Sequence, residues 1–430
     1  MTVKELRVES RFGEQLARYA NLVATYGLNV QPGQLVNVSS EPYHRDFLAA
    51  LVTEMYRRGA GFVHVDLVDP ILQRRRFEHS NAKFLGTLPN FYASKFGELV
   101  DKGAANLKLL GPEFPEYLDG LSPEAVNTAR KAGYQAAKRF YDEGIDKSKV
   151  QWCVIAAATP GWAARLFPDV APLEAEAILW DHIFRICRVD RADYLSLWAN
   201  HNSVLKNRAR KLSALGISSL HFSGPGTDLK VGLSERAFFK GGADSTDCGV
   251  VFEPNIPTEE CFTTPDWRTV SGHVAATRPF LVNGTLIRGL QLEFKEGELV
   301  AFKCDEGGAT LEAYITSDAG AKRLGEVALV GVDSPIFSSQ IVFEEILFDE
   351  NAACHIALGS AYRGCLHGGG DFSEREAAEV GCNSSSVHTD IMISSELVDV
   401  RATLRDGRVV SILERGKWVA DLSHDACVRA

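Results

Sequence analysis

Apolar positions along the first half of the chain switch between two periods. In "FGEQLARYANLVATYG", Leu16, Tyr19, Ala20 and Val23 recur at helical spacing and run up to Gly27, a residue that ends helices. "QLVNVSS" then reads as a strand, "HRDFLAALVTEMYRRGA" as a helix and "GFVHVDLVD" as another strand. The order resumes with "VQWCVIAAAT", opening onto "PGWAARLF", and with the helix "LEAEAILWDHIFRICR". Strands alternating with helices of this length predict an α/β domain with a mostly parallel sheet.

The pattern changes near Gly216. From "LHFSGPGTDLKVGLS" onwards, short alternating segments are separated by turn signals. "FLVNGTLIRG" carries an Asn-Gly turn at Asn283 and Gly284, "LEFKEGELVAF" a turn at Gly297, and "ATLRDGRVVSI" an Asp-Gly turn at Asp406 and Gly407. These predict a mainly antiparallel β (α+β) C-terminal domain. The expected domains are therefore residues 1–215 and 216–430. The glycine- and serine-rich run "RGCLHGGGDFSEREAAEVGCNSSS" reads as the one flexible stretch.

Charge narrows the partners. Lys plus Arg total 46 against 56 Asp plus Glu, a net charge of −10. Nucleic acid and anionic membranes attract basic surfaces, so neither is expected as a partner. "MTVKELRVESRFGEQL" lacks the apolar core of a signal peptide, and no run of about 18 apolar residues occurs. The nine cysteines form no CxxC pair and read as free thiols, which places the protein in the cytoplasm.

Several features have plain structural readings. "SGPGTD" and "HGGGD" do not lie between a strand and a helix, as a phosphate cradle requires. Thr159 and Pro160 start a helix. The basic run Lys206–Lys211 falls on a helical pattern with Val204, Leu205, Leu212 and Leu215, and reads as a solvated face. His64 reads as a strand histidine, and no G-x-S-x-G elbow is present.

Three segments of the second half carry chemistry. "SVHTDIMI" sets His388 and Asp390 two residues apart on a strand, on one face and about 7 Å apart along it. Thr389, Ile391 and Ile393 then take the apolar face. "FDENAACHIALGSAY" places His355 in an apolar stretch with Tyr362 after it. Glu326 in "LGEVALV" borders a buried strand, where a carboxylate is costly unless it is paired or binds a metal. Glu259 and Glu260 in "NIPTEECF" add two more carboxylates. Each piece alone also fits a structural role. Together they suit one or two divalent ions with mixed nitrogen and oxygen ligands.

The stretches "NIPTEE", "TTPDW", "RLGEVALV", "LFDENAACHIALG" and "HTDIMI" resemble, in order, the thermophilic aminopeptidase family. The resemblance implies a dinuclear metallo-aminopeptidase acting on short peptides, a homodimer, with zinc, cobalt or manganese as the two ions. It maps the metal ligands onto Glu260, Glu326, His355, His388 and Asp390, with Glu326 as the bridge. Tyr362 matches a tyrosine needed for activity, and Glu259 is the expected proton shuttle. "FEEILFDEN", with Glu344 and Glu345, and "MISSELVDV" depart from the family pattern, as does the long loop around His367, leaving the pocket shape open.

Two alternatives remain at this point. His355, His388 and Asp390 alone would make the two-histidine, one-carboxylate site of a single-iron ring-cleaving dioxygenase. Such a site has no use for both Glu260 and Glu326. A binding protein without activity has no use for five convergent ligands.

Overall fold

The computed structural model describes residues 11–423, so the first ten residues read above for a signal sequence lie outside it. Tertiary contacts divide the chain into two compact units, neither of which is a continuous half. One holds the described residues up to Leu118 with Ala132–His201 and Ala243–Pro257. The other holds Asp119–Lys131, Asn202–Gly242 and the described residues from Thr258 onwards. No helix among the described residues is long and apolar enough to cross a membrane.

The first unit is built on a five-stranded sheet in which every neighbouring pair is parallel. Its spatial order is Phe62–Leu67, Leu35–Ser40, Ala105–Leu110, Trp152–Ala156, Asn255–Ile256. The expected alternation accounts for three of these strands, and Ala105–Leu110 was not read from the sequence. The fifth has two residues, too few to show a period, and it arrives from beyond Gly216. Val36, Val38, Leu107, Leu109 and Ile155 are buried in this sheet. The first helix, Arg11–Leu22, closes with a wider turn over Val23–Gly27. A Cβ on Gly27 would stand 3.0 Å from Cys153 Sγ, so glycine lets the helix end approach the sheet closely without displacing that side chain. Thr159 caps the helix Pro160–Leu166 by accepting from Trp162 N–H at 3.2 Å. His64 lies exposed on its strand, 3.0 Å from Asp66.

The second unit contains an eight-stranded sheet with all pairs antiparallel. It also contains a four-stranded antiparallel sheet in the order Cys261–Thr263, Leu324–Leu329, His355–Gly359, His388–Met392. Asn283 and Gly284 both take positive φ, 51° and 83°, the geometry that lets a two-residue turn follow the twist of a hairpin. One core joins residues of both sheets, among them Phe222, Val231, Leu292 and Phe294 with Val327, Leu329, Ile356, Leu358 and Ile391. Each such side chain contributes about 1.5–3 kcal/mol on burial, enough to hold the register of the smaller sheet.

Two expectations fail here. The supposedly flexible stretch is ordered by short turns at Arg363–Cys365 and Gly369–Asp371 and by a helix, Glu374–Glu379. Ser373 and Glu376 form a reciprocal capping box at its start, which satisfies helix N–H groups that a loop would leave to water. The basic run is not wholly a solvated face, because Arg208 is buried. It lies four residues from both Val204 and Leu212, on the apolar stripe of the helix Tyr194–Ala214. Its guanidinium stacks over Trp418 at 4.2 Å, and Nε donates to Leu422 O at 2.9 Å.

Candidate metal centre

Sheet register assembles the site. Phe262 is paired with Ala328, Ala328 with His355, Glu326 with Ala357, Ala357 with Asp390, and Gly359 with His388. Directly opposed residues of antiparallel strands share a face, as do residues two apart along a strand. Phe262, Glu326, Ala328, His355, Ala357, His388 and Asp390 therefore form one face. Val327, Leu329, Ile356, Leu358 and Ile391 form the other and enter the core. On the first face, Ala328, Ala357 and Gly359 supply almost no side-chain volume, which leaves room between the imidazoles and carboxylates. Glu326 lies inside the strand Leu324–Leu329, every residue of which is buried.

Two trios of ligand atoms result, each within 4.8 Å: Glu260, Glu326 and His355, and Glu326, His388 and Asp390. His355 Nε2 lies 3.1 Å from Glu260 Oε2 and 3.8 Å from Glu326 Oε1. His388 Nε2 lies 3.5 Å from Glu326 Oε2 and 3.3 Å from Asp390 Oδ1. Glu326 thus offers one oxygen to each trio. Both imidazoles are oriented from behind: His355 Nδ1 is 3.2 Å from Ala353 O, and His388 Nδ1 is 2.8 Å from Ser360 O. A proton on each Nδ1 leaves Nε2 with a lone pair aimed at the carboxylates, the arrangement that suits a metal.

The electrostatics show what this chain lacks by itself. Burial, reinforced by Glu260 and Asp390, pushes the Glu326 carboxyl up to about 7 despite the nearby His355. Burial alone would lower His388, yet Asp390 and Glu326 raise it to about 9. His355 is likewise held well above its ordinary range by Glu260 and Glu326, against burial. Glu260 Oε2 is buried and accepts no hydrogen bond. Buried carboxylates that hold two buried imidazoles protonated make a set that divalent cations of mixed nitrogen and oxygen preference would fit, replacing the protons on the imidazole nitrogens.

Tyr362 stands at the margin of the cluster, 36 % exposed. Its ring meets His388 edge-on at 5.3 Å and Phe262 at 5.7 Å. Loss of solvation, then the charges of Glu326, Asp390, Glu350 and Glu260, keep its phenol well above the usual tyrosine range, hence protonated. Glu259 is not brought into either trio. Its charge acts instead on the buried Arg208, and its backbone N–H donates to Asn351 Oδ1 at 2.7 Å.

Glu350 was missed by sequence reasoning. Burial and the charges of Asp390, Glu260 and Glu326 push it well above the ordinary carboxylate range, which places it beside the cluster. Its neighbour Asp349 is occupied by Phe343 N–H at 2.8 Å and Glu345 N–H at 3.2 Å. Asn351 donates to Glu350 Oε1 at 3.3 Å while receiving the Glu259 N–H, tying both acidic segments together. A separation of five residues from His355 carries no helical or strand periodicity, so the acid-rich "FDEN" held no readable signal.

The model of a family described as thermophilic metalloprotease (M29) matches residues 12–418. Aminopeptidase T of Thermus thermophilus is 39% identical over 411 residues, covering 95% of this chain and 99% of its own. Aminopeptidase PepS of Streptococcus thermophilus is 37% identical over 409 residues, covering 95% and 98%. The solved structure of wild-type AmpT from Thermus thermophilus matches with a TM-score of 0.87 at 38% identity, covering 95% of this chain and all of that one. These similarities give no support to a single-iron dioxygenase.

Proposed function

Because the chain belongs to the thermophilic metalloprotease (M29) family, we propose that it is a metal-dependent aminopeptidase, removing N-terminal residues from short peptides at a centre of two divalent ions. The observation that carries the two-ion reading is Glu326, whose two carboxylate oxygens face separate histidine–carboxylate trios. Glu260, Glu326 and His355 would hold one ion, and Glu326, His388 and Asp390 the other. Zinc, cobalt and manganese all accept this donor set. Two such ions lower the pKa of a water and polarise the scissile carbonyl.

The chain's own residues do the rest. The Tyr362 O–H, kept protonated by its surroundings, donates a hydrogen bond to the carbonyl oxygen as negative charge develops there. Glu350, the buried carboxyl beside the cluster that belongs to neither trio, takes the proton from the attacking water and passes it to the leaving amine. Glu350 thereby replaces Glu259 as the assigned proton shuttle. The carboxylates around the trios receive the substrate's free α-ammonium group, which directs cleavage to the first peptide bond. Every residue given a role lies within 216–430. The reading extends to a cytoplasmic homodimer, following the acidic composition, the cysteine usage and the family resemblance.

A matched pair of leucyl peptides, one free and one N-acetylated, tests it. The acetyl group removes the amine's charge, and a buried charged partner left unpaired costs more than the roughly 1–3 kcal/mol of a neutral one. The free peptide should lose its first residue in a chelator-sensitive reaction, and the acetylated one should remain whole. Equal cleavage of both, or cuts at internal bonds, would remove the exopeptidase reading.

A further inference from the structure

The smaller sheet does not end at the strand Cys261–Thr263. Lys240 pairs with Phe262 across its outer edge, each backbone N–H reaching the other's carbonyl oxygen at 2.9 Å. Directly opposed residues share a face, and Phe262 lies on the face that carries His355 and Glu326. Lys240 therefore sends its side chain to the metal-facing side of the sheet. Its Nζ lies 3.3 Å from the point a Cβ on Gly364 would occupy, two residues beyond Tyr362. Phe262, the backbone partner of Lys240, meets the Tyr362 ring edge-on at 5.7 Å.

From these placements we infer that Lys240 is a specificity residue, binding the free C-terminal carboxylate of di- and tripeptide substrates. The inference rests on the aminopeptidase reading. A short peptide is a zwitterion, and this face is polarised to match it. Glu260, Glu326, Glu350 and Asp390 gather at one end, and the Lys240 ammonium stands at the other. The scale agrees. Lys240 is two strands away from Glu326, about 10 Å at the usual strand spacing. A di- or tripeptide spans roughly 7–10 Å in extended form. An ammonium carries three donors, so Lys240 can keep protein partners while it takes a carboxylate oxygen. Longer peptides would present an amide or further chain where the carboxylate should be, and lose that contact.

The test compares Leu-Ala with Leu-Ala-amide on the metal-loaded wild type, Lys240→Met and Lys240→Arg. The readout is the ratio of kcat/KM for acid over amide, so a general loss of activity cancels. Wild type should favour the acid by about tenfold or more, expressed in KM, as a hydrogen bond to a charged group implies. Lys240→Met should bring the ratio towards unity, and Lys240→Arg should keep most of it. A reduced-bond isostere of Leu-Ala, as acid and as amide, should show the same pattern in calorimetric Kd without turnover. If Lys240→Met fails to fold, Lys240→Gln takes its place. A wild type that cleaves both equally, or a Lys240→Met ratio equal to wild type, overturns the Lys240 assignment and leaves the aminopeptidase reading standing. A wild type that cleaves neither overturns both.

Discussion

Glu326→Gln should stabilise the metal-stripped protein while destroying its response to metal. The substitution keeps the shape of a fully buried side chain and removes its charge. The carboxyl titrates from an ordinary value of 4.5 up to about 7 in the fold. Below the lower value it is neutral both folded and unfolded, and the substitution changes little. Between the two values the unfolded chain ionises and the folded chain resists, so wild-type stability falls as pH rises. Above about 7 the cost is complete, on the order of 3 kcal/mol at about 1.4 kcal/mol per pH unit. Urea unfolding of chelator-treated protein should therefore show Glu326→Gln more stable than wild type by about 2–3 kcal/mol near pH 8, and close to equal near pH 4.5. Added zinc or manganese should reverse the order. Binding to the folded state stabilises wild type by about 4.1 kcal/mol at a thousandfold excess over Kd, more than the variant's advantage, and the variant has lost a ligand common to both trios. A stripped Glu326→Gln protein less stable than wild type at the higher pH would show that the buried charge is compensated by the chain itself, and the argument for a bound cation would fail.

Other substitutions separate metal binding from catalysis. Tyr362→Phe should retain its ions by elemental analysis and lose about 10²–10³ in kcat, the loss expected when a donor to a developing oxyanion is removed. Near-normal turnover would exclude that role. Asp318 accepts from Gly320 N–H at 2.9 Å, Ser385 Oγ–H at 2.8 Å, and Ser386 N–H and Oγ–H at 2.7 and 2.6 Å, bracing the segment that enters His388. Asp318→Ala should lower stability by about 2 kcal/mol and weaken metal affinity, measured by competition with a chromogenic chelator. Unchanged affinity would show that the His388 strand holds its own position.

Local signals were enough for much of this protein. The alternation of helical and strand periods marked the parallel unit, and the Asn-Gly and Asp-Gly turns marked the antiparallel one, because both depend on neighbouring residues alone. His388 and Asp390 were legible as a pair for the same reason, since a period of two puts them on one side of any strand. Glu326 stood out because an apolar strand has no other use for a carboxylate. Register lies beyond such reasoning. Pairing is set by residues far apart in sequence, and a slip of one position would turn every side chain to the opposite face. Only the fold shows which of Glu259 and Glu260 meets His355. The two-residue strand Asn255–Ile256 is too short to carry a period. Arg208 is charged by composition and buried because its helix turns it onto Trp418. Glu350 and Lys240 come from segments with no distinctive pattern, and reach the metal-facing side of the sheet through contacts that exist only once distant strands have paired.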